Sequence, residues 1–522
     1  MDAIQTDVAI IGAGLGGCAA ALAASRKGCR VVLSEETKWI GGQMTSQAVP
    51  PDEHPWIEQF GASASYRTLR NGIRQYYRSH LPLANEARKL IALNPGNGVV
   101  SRICHDPRIS VAVLKQMFAP YSLNGKLQIM RKHRPLLAST HNDRVHGVTI
   151  ISLDSGRELS VEAPFFIDAT PLGELLTLAG AEHVVGAESQ METNEPHAPG
   201  DADPLDQQAF TFCFAIEHHP GENHLIEEPR DYEFWRNYCP PSWPGQLLSW
   251  EVVMPSTNEP ITRSLFGETN GYSWWNYRRI LDRSNFVEGF ASSDITLVDW
   301  PQNDYWVGPL CGVDERNRLR NVESARQLSL SLLYWLQTEA PRPDGGFGYP
   351  GLRIRADVVG GTADGLALAP YIRSSRRIRA EFTVVEQHFA YPLRSTAPEF
   401  FKDSVGVGCY RIDLHPRTNG KGYLDLGAWP FQIPLGSLIP IRLENLLPGG
   451  KNLGTSNIAN GAFRVHPVEW SVGEAAGLLA AFCLQHEVRP REVRHNSELL
   501  QDFQSLLSRD GIELEWPSLS PV

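Results

Sequence analysis

The alternation of apolar and polar residues at the start of the chain predicts a strand, a tight turn and a helix. Asp7–Ile11 is a short β-branched run, which is typical of a buried parallel strand. The run breaks at Gly12, and the alanine-rich segment that continues to Arg26 favours a helix. A second apolar run, Cys29–Leu33, ends in acidic residues. This part of the chain therefore predicts a β–α–β unit.

The glycines of the predicted turn have the spacing G-x-G-x-x-G, and each has a steric reason. Gly12 permits the turn, Gly14 lets the backbone approach a pyrophosphate, and Gly17 lets the helix pack closely on the strand. Glu35 ends the second strand, where a carboxylate accepts hydrogen bonds from ribose hydroxyls. In an ordinary α/β domain these glycines would form only a turn. The strand, helix and acid in register favour a dinucleotide site.

The segment directly after this acid resembles the glycine doublet of the glutathione-reductase-like flavoproteins. It contains Gly41, Gly42 and Gln43 in a row. In those proteins the doublet lines FAD as it runs towards the isoalloxazine ring. The resemblance implies that the dinucleotide is FAD rather than NAD, and that these three residues contact it.

A later segment resembles the part of such proteins that brings a strand end near the FAD adenosine. Residues 124–168 have a β-rich pattern that ends in Phe165–Asp168, and Thr170 follows in a turn of small residues. The resemblance implies that Thr170 contacts the cofactor.

Near the C-terminus, residues 468–484 predict a helix, and Pro467 suits its first turn. In the resembled fold this helix points its N-terminus at the flavin pyrimidine, where N–H groups and the helix dipole stabilise the anionic reduced ring. Arg464, just before the helix, and Gly473, within it, are the implied contacts.

Together these segments resemble the FAD-dependent oxidoreductases that include tricarballylate-dehydrogenase-like and fumarate-reductase-related flavoproteins. The resemblance implies an α/β fold, in which a Rossmann-like FAD-binding domain with three-layer ββα architecture carries an inserted α+β substrate or cap domain. We expect the first part of the FAD-binding domain at 1–190 and the substrate-binding and cap domain at 191–425. The C-terminal part of the FAD-binding domain, followed by a helical tail, is expected at 426–522.

Candidate substrate-binding residues lie in the second expected domain. Arg373 belongs to a basic cluster at a predicted strand-to-helix junction, where arginines are able to clamp a carboxylate or to form a structural ion-pair network. Many tryptophans between 235 and 335 form either core packing or an aromatic-walled pocket. An apolar strand pattern over 208–217 is expected to cover the flavin.

Residues 403–416 alternate like a strand, and period two puts Arg411, Asp413 and His415 on one face and Tyr410 on the other. We expect His415 to act as the base and Arg411 to anchor substrate, with Tyr410 as the second choice of base. His466, just before the flavin-facing helix, is a further catalytic candidate. The alternative for each histidine is a structural role.

Charge and composition limit the classes of partner and metal site that we expect. The formal net charge is −11, which disfavours a nucleic-acid partner. Eight cysteines without a C-x-x-C pair make iron–sulfur and structural zinc sites unexpected, so we predict no metal site. Without a leader pattern or an 18-residue apolar span, we expect a cytoplasmic protein with no membrane partner.

No second nucleotide fingerprint occurs, so we expect electrons to come from a small organic substrate rather than from NAD(P)H. The leading hypothesis is a dehydrogenase or oxidase whose substrate gives hydride to flavin N5, with oxygen or another acceptor reoxidising the flavin. The alternatives are a flavin monooxygenase that binds NAD(P)H without its own domain, and a flavin-binding subunit that is non-catalytic or needs a partner.

Overall fold

The computed structural model describes residues 2–267 and 271–522. The α-helices in these ranges are α1 Leu15–Arg26, α2 Ala64–His80, α3 Asn85–Lys89, α4 Pro107–Leu123, α5 Glu174–Leu178, α6 Gln190–Thr193, α7 Tyr232–Asn237, α8 Trp274–Tyr277, α9 Glu315–Thr338, α10 Asn457–Phe463, α11 His466–His486, α12 Pro490–His495 and α13 Ser497–Arg509.

The strands of the first half are β1 Asp2–Gln5, β2 Val8–Ile11, β3 Val31–Glu35, β4 Leu127–Arg131, β5 His133–His141, β6 Arg144–Ser152, β7 Glu158–Glu162, β8 Phe165–Asp168, β9 His183–Val184, β10 Phe210–Thr211, β11 Phe214–His218 and β12 Glu251–Val253. The later strands are β13 Pro260–Thr262, β14 Arg279–Leu281, β15 Ile295–Val298, β16 Asp304–Tyr305, β17 Leu352–Ile354, β18 Tyr371–Ile372, β19 Arg377–Ile378, β20 Ser404–Gly408, β21 Ile412–Leu414, β22 Leu424–Leu426, β23 Phe431–Pro434 and β24 Leu446–Pro448.

A five-stranded parallel sheet in the order β24-β8-β2-β3-β4 forms the centre of the first domain. Its middle strand is buried on both faces, as an all-apolar parallel strand requires. Val8 and Ile10 pack with the helices α1, α4 and α11, whereas Ala9 and Ile11 pack against the other face. The short strand β24 joins this sheet from the far end of the chain.

A second sheet, in the order β1-β7-β6-β5, covers the face opposite the helices. The result is a sheet, a sheet and a helical layer around two apolar cores. The predicted α/β fold, with a Rossmann-like three-layer domain, is confirmed.

Helices α1 and α11 pack at backbone distance because glycines stand where they cross. A Cβ atom added to Gly473 would lie 2.0 Å from the carbonyl oxygen of Gly16, and one added to Gly477 would lie 2.4 Å from that of Ala20. Pro467 lies in the first turn of α11, as predicted. The glycines thus bring the two N-termini of these helices to the same side of the parallel sheet.

The middle of the chain forms its own core under the antiparallel sheets β14-β15-β11-β17 and β16-β10-β18. The tryptophans expected there are all buried in or against this core. Trp274 and Trp300 also border a cavity, which is described below. Core packing is therefore the main role of the group, and these two residues also form a pocket wall.

The structure differs from several local predictions. The pattern at 208–217 forms two short strands, β10 and β11, and the pattern at 403–416 forms β20 and β21 with a break at 409–411. Arg373 lies between the strands β18 and β19 rather than at a strand-to-helix junction. In each case the apolar pattern continues across a bend, because both sides of the bend are buried.

None of the helices in the described ranges has the length and apolar character needed to cross a membrane. All eight cysteines are free. Within 2–267 and 271–522 no group of histidine, cysteine and acidic residues is arranged to hold a metal ion.

Candidate functional site

A cleft opens at the carboxyl ends of β2 and β3, where the predicted glycine turn begins α1. Five of the residues expected to bind the cofactor line it: Gly12, Gly14, Glu35, Gly42 and Thr170. Ligands of open parallel sheets bind at this end of the strands.

The glycines of the turn divide into those that the fold requires and one that it does not. Gly12 has φ +94°, and a Cβ there would lie 2.4 Å from the Ala169 oxygen. A Cβ on Gly17 would lie 2.1 Å from the Gly12 oxygen. At Gly14 the nearest atom would be 3.5 Å away, which is ordinary contact. Protein packing therefore does not require a glycine at position 14, and its role in leaving space for a ligand stays a prediction.

The polar groups of the cleft fit the ADP half of FAD. The N-terminal turn of α1 has no side-chain cap and no acidic residue, so its N–H groups and positive dipole end are left for phosphate. Among the described residues, Ser34 Oγ and Gln47 Oε1 are buried without a hydrogen-bond partner. Both residues line the cleft, where a ligand would supply the missing partners.

Glu35 is held in the cleft by the turn itself. Its carboxylate accepts hydrogen bonds from the backbone N–H groups of Ala13, at 3.0 Å, and of Thr37, at 2.9 Å. Burial raises the pKa of Glu35 to about 7, although these hydrogen bonds act in the opposite direction. Hydrogen bonds from ribose hydroxyls would stabilise its charged form.

Other residues expected at the cofactor support the cleft from behind. Gly41 has φ +108° and donates from N–H to the Ala13 oxygen at 2.7 Å. Gln43 Nε2 donates to the Arg464 oxygen and to Glu469 Oε2. Gly473 lies in the contact of α1 with α11. Direct contact of these residues with the cofactor stays a prediction.

A second cavity, of about 230 Å³, is lined by most of the expected catalytic residues. Its lining includes Arg373, Tyr410, Arg411, His415 and Arg464. Residues from both faces expected of the strand at 403–416 line the cavity, because the break at 409–411 turns Tyr410 towards it.

Two chain segments connect the cleft to the cavity. Gly42 and Gln47 line the cleft and Asp52 lines the cavity, all on the segment after β3. Ala369 lines the cleft and Tyr371 lines the cavity, two residues apart at β18. The cavity therefore lies at the continuation of the nucleotide cleft.

His415 lies between two carboxylates. Its Nδ1 is 2.6 Å from Asp304 Oδ2, and its Nε2 is 3.4 Å from Asp413 Oδ2. Burial and Arg373 lower the pKa of His415, but the two carboxylates outweigh them, so the pKa is raised above its ordinary value. The ring is thus protonated over a wider pH range than a free histidine. It accepts a proton only above that raised pKa.

Three arginines of the cavity, Arg373, Arg464 and Arg411, have carboxylate contacts of 3.0 Å or less. Arg373 contacts Asp304 at 3.0 Å. Arg464 donates to Asp413 at 2.9 Å and to the hydroxyl of Tyr371 at 3.0 Å. For Arg373, these contacts favour the ion-pair network over the substrate clamp.

The third, Arg411, donates to Asp425 at 2.5 Å and is the most exposed of the three, with 40% of its side chain accessible. It lies at the rim of the cavity.

Tyr410 and His466 are less suited to accepting protons than the sequence suggested. Burial raises the pKa of Tyr410 well above its ordinary value, so its hydroxyl is neutral. His466 is fully buried outside the cavity lining, and burial lowers its pKa to about 3. Its Nδ1 accepts a hydrogen bond from the N–H of Asp52 at 3.1 Å. His466 thereby positions the backbone of Asp52.

Asp52 and Arg278 line the cavity and were not among the predicted residues. Both are buried, and Arg278 Nη1 lies 3.7 Å from Asp52 Oδ1. Their positions follow a proline pair and an aromatic run, respectively, and neither pattern carries a signal for catalysis. Only the tertiary structure brings them together.

The sequence matches the family described as FAD dependent oxidoreductase over residues 7–507. The chain belongs to this family. FAD is therefore the cofactor of this FAD-dependent oxidoreductase, as the glycine turn and doublet predicted. No curated protein sequence matches the chain significantly.

Several solved structures match the chain at low sequence identity and with low TM-scores. L-proline dehydrogenase from P. horikoshii is 17% identical, with a TM-score of 0.18, and the match covers 35% of this chain and 24% of that one. A geranylgeranyl bacteriochlorophyll reductase-like protein from Thermoplasma acidophilum is 11% identical over 98% of this chain and 85% of that one, with a TM-score of 0.32. A variant of the quinol fumarate reductase FrdA of E. coli is 12% identical, covering 98% and 74%, with a TM-score of 0.33. At these scores, no property of these proteins is transferred to this oxidoreductase.

Proposed function

We propose that this oxidoreductase is a dehydrogenase or oxidase that takes hydride from a small polar organic substrate held in the 230 Å³ cavity. The observation that supports it best is the pair of segments that border both the cofactor cleft and the cavity. A substrate in the cavity would lie next to the cofactor. Bound FAD would supply an acceptor for the hydride.

Asp52 is the proposed acceptor of the proton that leaves the substrate. Its carboxylate lines the cavity and accepts no hydrogen bond from the residues that the structure describes. Burial raises the pKa of Asp52, while Arg278 and Arg464 lower it. Asp299 and Asp413 raise it further, and neutral tyrosines at 277, 371 and 410 complete its surroundings. A raised pKa makes a carboxylate a better base.

The predicted catalytic residues have proposed roles that their contacts support. His415, whose pKa Asp304 and Asp413 raise, would in its protonated form orient the substrate and stabilise negative charge. Tyr410 would donate a hydrogen bond from its neutral hydroxyl. Arg373 and Arg464 would keep the potential of the cavity positive. Most of the rate gain would come from holding the substrate against the cofactor.

The test is anaerobic mixing of the purified holoprotein with a panel of hydroxy acids, amines and alcohols. Loss of the absorbance of oxidised flavin with at least one compound is the expected result. Bleaching that occurs only with NADPH would replace the proposal with a monooxygenase. No bleaching with any donor until a second protein is added would replace it with a partner-dependent subunit.

A further inference from the structure

Arg278 is the cavity cation with two buried donor nitrogens that lack a hydrogen-bond partner among the described residues. It is 7% exposed and lines the cavity. Its Nη2 is 3.3 Å from Asp299 Oδ2 and its Nη1 is 3.7 Å from Asp52 Oδ1. Nε and Nη1 have no hydrogen-bond partner among the residues that the structure describes. A buried guanidinium with unpaired donors costs free energy unless a ligand completes it.

The unpaired donors of Arg278 have the geometry for a carboxylate. Nε and Nη1 lie on either side of Nη2, and each of them forms with Nη2 a fork that matches the two oxygens of a carboxylate. Arg373 and Arg464 in the same cavity each leave only Nε without a described partner and donate through their other nitrogens, and Arg411 donates to Asp425. Arg278, with two unpaired nitrogens, therefore has the largest capacity for an incoming anion.

The walls and size of the cavity indicate the rest of the ligand. The aromatic side chains that line it include Tyr272, Trp274, Tyr277, Trp300, Tyr371 and Tyr410. Trp274 and Trp300 lie with ring centroids 5.3 Å apart, and each has an indole N–H without a described partner. A cavity of about 150 Å³ suffices for benzene. This cavity, of about 230 Å³, has room for one ring, a carboxylate and a small polar group.

Arg278 limits the ligand to a single anionic group. Among the described side chains that line the cavity, it is the guanidinium with two buried nitrogens that lack a hydrogen-bond partner. These donors suit one carboxylate. A second carboxylate on the same ligand would be a buried charge without such a partner.

We propose that Arg278 binds the carboxylate of an aromatic monocarboxylic acid, whose ring lies against the tyrosines and tryptophans of the cavity. That this acid is the substrate class rests on the proposed function. That it binds at Arg278 does not.

The experiment is calorimetric titration of the holoprotein with benzoate and phenylacetate, with their amides, and with succinate as an aliphatic dianion. We expect at least one aromatic acid to bind, and to bind more tightly than its amide and than succinate. Arg278→Met should weaken that acid about ten- to a hundred-fold and leave the amide unchanged, as loss of a charge-assisted hydrogen bond predicts. Arg278→Lys, which keeps the charge but not the fork, should bind that acid with an affinity between those of Arg278→Met and the unaltered protein.

The matched control is Arg283→Met, an exposed arginine on the same segment and outside the cavity. It should bind the acid like the unaltered protein. Tighter binding of succinate or of the amides by the unaltered protein would overturn the proposal even if neither Arg278 variant folds. Equal affinity of Arg278→Met for the acid would overturn it as well. Binding without flavin bleaching by any donor would overturn the proposed function alone.

Discussion

Neighbouring groups set the pKa values of the catalytic candidates. Asp304 and Asp413 raise the pKa of His415, whereas His466 has only backbone partners and a pKa that burial lowers to about 3. Asp52 has a distant arginine and a raised pKa. The pKa values of two histidines and an aspartate are thus shifted in directions that their residue types do not indicate.

Asp52→Asn should lower the rate of flavin reduction by about 10²- to 10⁴-fold, the usual contribution of a general base. In the unaltered enzyme the rate should fall as the pH drops through the raised pKa of Asp52, because a protonated carboxyl cannot accept a proton. The variant should lose this limb of the pH profile. Single-turnover reduction across a pH series measures both effects.

Asp502→Asn, at an exposed position on α13, is the control for this substitution and should leave the profile unchanged. Retention of both the rate and the acidic limb in Asp52→Asn would exclude Asp52 as the base.

His415→Gln should change the pH dependence of stability. The folded-state pKa of His415 is raised, so its ion pairs stabilise the fold fully below the unfolded value of about 6.5. This contribution is lost as the pH rises through the folded-state pKa. We expect the variant to lose about 1–3 kcal/mol of unfolding free energy on the acidic side of that window, and less on the basic side.

Urea unfolding of both proteins on the two sides of the window measures this difference. His141→Gln, at an exposed position at the end of β5, is the control. An equal loss on both sides would show that the histidine packs as a neutral ring.

At the level of elements, the turn between β2 and α1 contains glycines that the packing of the fold requires and one glycine that it does not. The backbone leaves no space for a side chain at Gly12 or Gly17, but leaves ordinary space at Gly14. Gly14 is also in a conformation open to any residue, with φ −60° and ψ −177°. Substitutions at Gly14 and Gly17 should therefore have different effects on stability and on FAD binding.

Gly14→Ala should fold with unchanged stability when FAD is absent, yet bind FAD at least about tenfold more weakly, because the methyl group occupies the path of the pyrophosphate. Gly17→Ala should lower the melting temperature with or without FAD, since its Cβ would meet the Gly12 oxygen at 2.1 Å. Thermal unfolding of apoprotein and holoprotein separates the two effects. Equal losses in both apoproteins would contradict this division.

At the level of the whole molecule, the FAD-binding domain is assembled from both ends of the chain. Strand β24 pairs with β8, and α11 packs on α1. The Asp52 segment and β18 then join this domain to the cavity of the middle region. A ligand in the cleft contacts parts of the chain that are far apart in sequence, and so should stabilise the whole unit.

Removal of FAD should lower the melting temperature, and its return should restore it in a concentration-dependent way. Each tenfold rise in free FAD above its dissociation constant adds about 1.4 kcal/mol when only the folded state binds. A thermal-shift titration of the apoprotein checks this, with NAD as the control ligand. A shift with NAD equal to that with FAD would contradict the assignment of the cleft.

The sequence alone determined the nucleotide fold, and the resemblance of its glycine doublet to that of the glutathione-reductase-like flavoproteins indicated FAD. Each of these signals occupies a short stretch of chain: the β-branched run, the glycine turn, the acid at Glu35 and the doublet at 41–42. The steric freedom of glycine and the spacing of apolar residues are local properties, so a sequence pattern contains them. The same local reasoning located the segment of Tyr410, Arg411 and His415 that borders the cavity.

Only the tertiary structure decided how the cavity is built and charged. Asp52 and Arg278 come from distant segments whose patterns are those of ordinary loops and strands, so nothing local marks them. The charge of His415 depends on Asp304, which reaches it from another sheet. The shifted pKa values and the unpaired hydrogen-bond donors of the cavity arise from burial and from contacts between distant segments. A linear sequence pattern contains neither kind of information.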